Sequence, residues 1–148
     1  MSQKFSVVPK SSTAVLASAS LRVAVIDDEP DAVLMLLTLL RSEAYHAKGF
    51  GSARAALKEL RTFDPDVVIS DVSMPFMNGW ELARQIRQMM GERPVLIGIS
   101  GQYMRGPDRV LAELAGYNFY LTKPCDPKEL MALLAPLGAN KQRYRSEA

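Results

Sequence analysis

The chain has 148 residues, which fits one domain able to bury its own core without staples. Hydrophobic residues make up 48% and charged residues 23%, and a formal net charge of +2 is too small to argue for a nucleic-acid or membrane-surface binder. The single cysteine, Cys125, excludes an internal disulfide framework and fits a reducing compartment, so the expected location is cytoplasmic.

Residues 1–20 read as a flexible Ser/Ala-rich leader or linker. Lys4 and the apolar Phe5 to Val8 resemble a secretory leader only faintly, because Pro9-Lys10-Ser11-Ser12 interrupts the stretch. Leu21 to Ile26 is a β-rich run that ends abruptly in Asp27-Asp28-Glu29-Pro30. From Asp31 the period changes, and Val33, Leu34, Leu36, Leu37 and Leu40 mark one face of a helix to about Ser42. This apolar run is far too short to span a bilayer. Tyr45 to Phe50 is a weaker strand, and Ser52 caps a helix over Ala53 to Arg61.

Val67-Val68-Ile69-Ser70 is a wholly apolar-flanked strand between Asp64-Pro65 and Pro75, and it delivers Asp71 at its carboxyl end. Asn78 with Glu81 starts a helix from Gly79 to about Met90. Pro94 to Ser100 is a fourth strand, and Pro107 occupies the first turn of a helix to about Ala115. Asn118 to Leu121 is a short fifth strand. Asp126-Pro127-Lys128-Glu129 opens a last helix to about Leu134, and from Pro136 the chain reads as a frayed basic tail. The division is thus leader 1–20, one domain over 21–136 and tail 137–148.

Strict alternation of strand and helix with short connections implies a doubly wound α/β domain: a five-stranded parallel sheet with helices on both faces. The near-continuous apolar strands agree, since strands covered on both sides lose the polar alternation. In a parallel sheet all carboxyl ends share one rim, where open α/β sheets bind ligands. The residues ending the strands are Asp27 and Asp28, Asp71, Ser100 and, after the fifth, Lys123. Three gathered carboxylates must share protons or bind a cation, and an all-oxygen set suits Mg²⁺. An aspartate can attack phosphorus to give an acyl phosphate. Phosphoryl transfer needs charge neutralised on the equatorial oxygens, which Mg²⁺, Lys123 and the Ser100 hydroxyl would supply.

On these residues the stretch from about 21 to 135 resembles the receiver domain of two-component response regulators. Asp27-Asp28, the run Asp71-x-x-Met74-Pro75-x-Met77-Asn78-Gly79, Ser100-Gly101 and Lys123-Pro124 stand in the family's order. The resemblance implies a flavodoxin-like fold with strand order 2-1-3-4-5. It implies that Asp71 is phosphorylated by a histidine kinase or histidine phosphotransfer protein. Asp28, Asp71 and the Ser73 carbonyl would hold Mg²⁺, with Asp27 acting through a metal-bound water. A cis peptide at Lys123-Pro124 is implied too, as is a switch in which Ser100 and Tyr120 move together. Ser73 and Gln102 stand where the family tunes dephosphorylation, and neither is an obvious base for water.

The expected function is a receiver in a phosphorelay, with no output domain of its own and a downstream protein partner rather than nucleic acid or membrane. It is not read as an enzyme beyond its own phosphorylation and dephosphorylation. A C-terminal receiver fragment of a hybrid histidine kinase is the alternative. A Mg²⁺-dependent aspartyl-phosphate phosphohydrolase ranks lower, because such enzymes usually carry a second Asp two residues after the nucleophile, where this chain has Ser73. Among the remaining residues, His46 reads as an exposed strand residue, Cys125 as inert, and Trp80 as either core or partner contact.

Overall fold

The computed structural model describes residues 20–74, 78–101 and 106–147, with side chains described through Lys141. Along them run β1 (Arg22–Ile26), α1 (Pro30–Ser42), β2 (His46–Phe50), α2 (Ala53–Phe63) and β3 (Val67–Asp71). They are followed by α3 (Gly79–Met90), β4 (Val95–Ser100), α4 (Gly106–Ala115), β5 (Phe119–Thr122) and α5 (Pro127–Glu147). Two of the expected caps form. Ser52 Oγ accepts from Ala55 N and Asn78 Oδ1 from Glu81 N, both at 3.0 Å, so each satisfies a donor that a helix start leaves over.

All pairings are parallel, and the order is β2-β1-β3-β4-β5, as the family resemblance implies. The side chains alternate between two cores. Ala24, Ile26, Val68 and Leu96 pack with Leu60 of α2 and Leu82 and Ile86 of α3. Val23, Val25, Ile69 and Ile97 pack with Leu40 of α1 and Leu130 and Leu134 of α5. Register then decides what meets at the carboxyl rim: Ile26 lies opposite Ser70, Asp71 opposite Ile99, and Ser100 opposite Thr122. No described helix is long and apolar enough to cross a membrane.

One expectation fails. The last helix does not stop near Leu134, and the residues from Pro136 are not frayed, since α5 continues to Glu147. Pro136 deprives the helix of one donor, at a usual cost of about 3 kcal/mol. Tertiary contacts offset it: Leu137 packs against the α1–α5 core, and Lys141 Nζ reaches Asp66 Oδ2 at 2.6 Å and the Ser20 carbonyl at 3.0 Å. Three expected features lie outside the described residues: leader residues 1–19, the Pro75 and Met77 of the central motif, and Gln102.

Candidate functional site

Asp27 follows β1 directly and is tied down twice. Its N–H donates to the Phe50 carbonyl at 3.2 Å, and its Oδ1 accepts from Glu29 N at 2.9 Å. Asp27 does not cap the helix that follows: Glu29 is the N-cap of α1 and makes no side-chain cap bond. Asp71 is fixed in the same way, its Oδ1 accepting from Ser73 N at 2.9 Å. Both carboxylates are 5% exposed, while Asp28 is open to solvent. Carboxylate oxygens of Asp27, Asp28 and Asp71 all lie within 4.8 Å of one another.

Lys123 enters from the far side. Its Nζ stands 3.1 Å from Asp71 Oδ2 and 3.9 Å from Asp27 Oδ2. Its backbone is anchored by a 2.8 Å bond from its N–H to the Ser100 carbonyl, and the peptide to Pro124 is cis. Burial alone would lower the Lys123 pKa, but the hydrogen bond and charge of Asp71, with Asp27 and Glu29, leave it raised. The Asp27 carboxyl is also raised: burial leads, Asp71 and Asp28 add to it, and the Glu29 N–H and Lys123 oppose it. Among the described residues three carboxylates thus face one ammonium, and the imbalance is what an oxygen-seeking divalent cation relieves. The donor set fits such an ion.

Ser100 is 5% exposed and follows Ile99, the cross-strand neighbour of Asp71. Tyr120 lies opposite Gly98, where a β-carbon would sit 3.0 Å from its ring and 3.1 Å from Val72 Cγ1. Gly98 therefore leaves the space in which the Tyr120 ring packs inward. The Tyr120 hydroxyl is buried without a hydrogen-bond partner among the described residues. So the structure brings Asp27, Asp28, Asp71 and Lys123 into one pocket; Ser73 is tied to Asp71 through its N–H and Ser100 ends the neighbouring strand, while Tyr120 packs on the α2–α3 core.

Tyr117 was not singled out by sequence. It is 4% exposed, and its hydroxyl donates to the Gly79 carbonyl at 3.0 Å. Trp80, which sequence left open between core and surface, is half-buried with its ring edge-on to Tyr117. An aromatic residue beside a short strand carries no signal of this role.

Comparison with known proteins shows the family. The family model described as the response regulator receiver domain matches residues 23–135. The chain belongs to that family. Receiver domains are part of two-component signalling, and the family acts as a phosphoacceptor switch. The receiver is 38% identical over 117 residues to an uncharacterized 14.6 kDa protein of Leptolyngbya boryana, covering 78% of this chain and 88% of that one. Over 111 residues it is 34% identical to the DNA-binding response regulator MtrA of Mycolicibacterium smegmatis, covering 75% of this chain and 47% of MtrA. It spans 54% of the transcriptional regulatory protein PcoR of Escherichia coli, so it matches about half the length of such relatives. Among solved structures, the chemotaxis protein CheY4 of Vibrio cholerae aligns with a TM-score of 0.73 at 25% identity, covering 78% of this chain and 96% of CheY4. A CheY-like receiver from Methanospirillum hungatei aligns at 0.75 and 20% identity over 84% of this chain and 98% of its own, a likeness of fold alone.

Proposed function

We propose that Asp71 accepts a phosphoryl group from a phosphohistidine, on a histidine kinase or a histidine phosphotransfer protein, and that the acyl phosphate switches a partner-binding face. The observation that carries this reading is the pocket itself: a buried carboxylate at a strand end, two more carboxylates within 4.8 Å, and a lysine ammonium at 3.1 Å. Asp28, Asp71 and the Ser73 carbonyl would hold Mg²⁺, with Asp27 acting through a bound water. The ion supplies neutralising charge for the phosphoryl oxygens.

The remaining steps belong to the chain. An Asp71 carboxylate oxygen attacks phosphorus in line; the O–P bond forms as the N–P bond to the donor imidazole breaks, the bond pair stays on that nitrogen, and the ring, already protonated on its other nitrogen, leaves as neutral imidazole. Lys123, already bonded to Asp71 Oδ2, transfers its contact to a phosphoryl oxygen. The Ser100 hydroxyl donates to another. Movement of Ser100 toward the phosphoryl group draws Tyr120 with it and shifts α4. The exposed Val110, Leu111 and Leu114 of α4 and Phe119 of β5 then form, with the last helix, the surface a downstream protein reads.

The donor has a different approach. A groove of about 510 Å³ lies between α1 and the segment after β5, lined by Met35, Leu36, Leu39, Cys125 and Pro127, with Asp27 and Lys123 among its walls. The phosphohistidine must come within bonding distance of Asp71, and this groove adjoins it, so the apolar side of the donor seats here. A cytoplasmic setting suits this partner and the single thiol.

The test is stoichiometric labelling. With acetyl phosphate and Mg²⁺, intact mass should show one phosphoryl group per chain in the wild type and none in Asp71→Asn. Continuous release of phosphate from a monoester, or labelling that survives in Asp71→Asn, would contradict the reading and favour a hydrolase or another acceptor.

A further inference from the structure

The side of β3 opposite the carboxylate pocket carries an unassigned arrangement. Because strand side chains alternate, Ser70 and Val72 face the α2–α3 core while Asp71 faces the pocket. Val72 packs in that core together with Tyr117 and Leu82. The Ser70 hydroxyl donates to the Asp71 carbonyl at 3.0 Å. Behind this pair stands Tyr117.

Gly79, the first residue of α3, is held at both of its backbone groups. Its N–H donates to the Val72 carbonyl at 2.9 Å, and its carbonyl accepts from the Tyr117 hydroxyl at 3.0 Å. A β-carbon at this position would come 2.4 Å from Val72 Cα and 2.9 Å from the Tyr117 oxygen. Only glycine admits so close an approach. The segment leaving Asp71 and the start of α3 are therefore clasped to each other and to Tyr117, with no slack between them.

Tyr117 also contacts two other rings. Tyr120 lies 5.5 Å away, centroid to centroid, and Trp80 lies 6.2 Å away with the planes at 80°. Burial pushes the Tyr117 phenol up to about 12, helped by the charge of Asp71 and opposed by the Ser70 hydroxyl, so it remains a donor at neutral pH.

We propose that Tyr117 is a positioning residue that clasps the segment following Asp71 to α3 and carries the phosphorylation state of Asp71 to Trp80. The inference rests on the phosphoacceptor reading above. A phosphoryl group on Asp71 displaces the Val72–Met74 segment. Gly79 moves with Val72, and Tyr117, bonded to the Gly79 carbonyl, follows with its two aromatic neighbours. This route leaves the pocket on the α3 side, whereas the Ser100 and Tyr120 shift acts on the α4 side. Tyr117 lies against both and links them.

The chain carries one tryptophan, Trp80, so its emission can be read without interference from another indole. The experiment records Trp80 emission and intact mass together after acetyl phosphate and Mg²⁺. Wild type and Tyr117→Phe are compared at equal phosphoryl occupancy. Wild type should show an emission change on labelling, and Tyr117→Phe, which keeps the ring and loses only the hydroxyl, should lose it. An equal change in both proteins overturns the proposal. A second measurement needs no variant: the Trp80 indole and Gly79 amide resonances of the wild type should move on phosphorylation, and unmoved resonances overturn it too. If the wild type takes up no phosphoryl group, the phosphoacceptor reading fails and this inference goes with it; if it labels normally and Trp80 is silent, this inference fails alone.

Discussion

The two ends of the sheet are both lined with charged side chains, but among the described residues the amino end matches its charges and the carboxyl end carries an excess of carboxylates. At the amino end, Arg87 fills its donors with fixed oxygens: the carbonyls of Gly116 at 2.7 Å, Gly91 at 3.0 Å and Pro94 at 2.7 Å, and Asn118 Oδ1 at 2.8 Å. Asp66 there accepts from Arg22 N at 2.8 Å and from Lys141 Nζ at 2.6 Å. Each group has a partner of opposite character, and the network ties the α3–β4 connection to the α4–β5 turn and α5 to the first strand. At the carboxyl end, Asp27, Asp28 and Asp71 have one ammonium among the described residues, that of Lys123. Matched charge makes a joint; an excess of one sign makes a site that awaits a ligand.

Breaking the amino end should cost stability and spare the chemistry. Arg87→Ala takes the donor from the Gly91 and Pro94 carbonyls of the α3–β4 connection and the Gly116 carbonyl of the α4–β5 turn and should destabilise the fold by about 2–3 kcal/mol, seen in urea unfolding, since hydrogen bonds to a charged donor are lost and part-buried acceptors are left unpaired. The phosphoryl occupancy reached with acetyl phosphate should stay at the wild-type level. A variant that folds well and fails to label would mean that the two ends are not independent.

Easing the carboxyl end should do the reverse. Burial and the neighbouring carboxylates raise the Asp27 pKa, so its ionisation weakens the folded state: the favourable contribution exists at low pH and is lost as pH rises through the folded value. Asp27→Asn removes that liability, and the melting temperature in EDTA at neutral pH should rise. Mg²⁺ affinity should fall about tenfold or more, as for other groups that orient a metal's ligands. A lower melting temperature with unchanged Mg²⁺ affinity would show that Asp27 serves the fold and not the ion. The smallest effect belongs to Lys141→Ala. It removes one partly exposed ion pair, which should cost about 1 kcal/mol or less, and it should loosen the α5 extension as read by amide exchange beyond Pro136.

The same contrast explains what the sequence disclosed. Asp27, Asp28, Asp71, Ser100 and Lys123 were legible because each ends or follows a run of apolar β-formers, and parallel strands put such ends at one rim. Strand order required the family resemblance, since alternation alone permits other windings. The amino-end joints were hidden because they depend on where long side chains reach: nothing near Arg87 in sequence announces the Gly116 carbonyl. The α5 extension was hidden for the same reason. Pro136 is a local stop signal, and it is overridden by Leu137 and Lys141 meeting residues far away in the chain. Tyr117 escaped notice because its function lies in a bond to a backbone carbonyl 38 residues away.

The measurement that bears most directly on the central claim compares thermal melts of the wild type and Asp71→Asn in Mg²⁺ and in Na⁺ at equal ionic strength. If the carboxylate excess at the rim is a cation site, Mg²⁺ should raise the wild-type midpoint in a saturable way and Na⁺ should not, because an ion that binds the folded state alone stabilises it by mass action. The Mg²⁺ response should be much weaker in Asp71→Asn. A wild-type midpoint that responds equally to both salts would contradict the account.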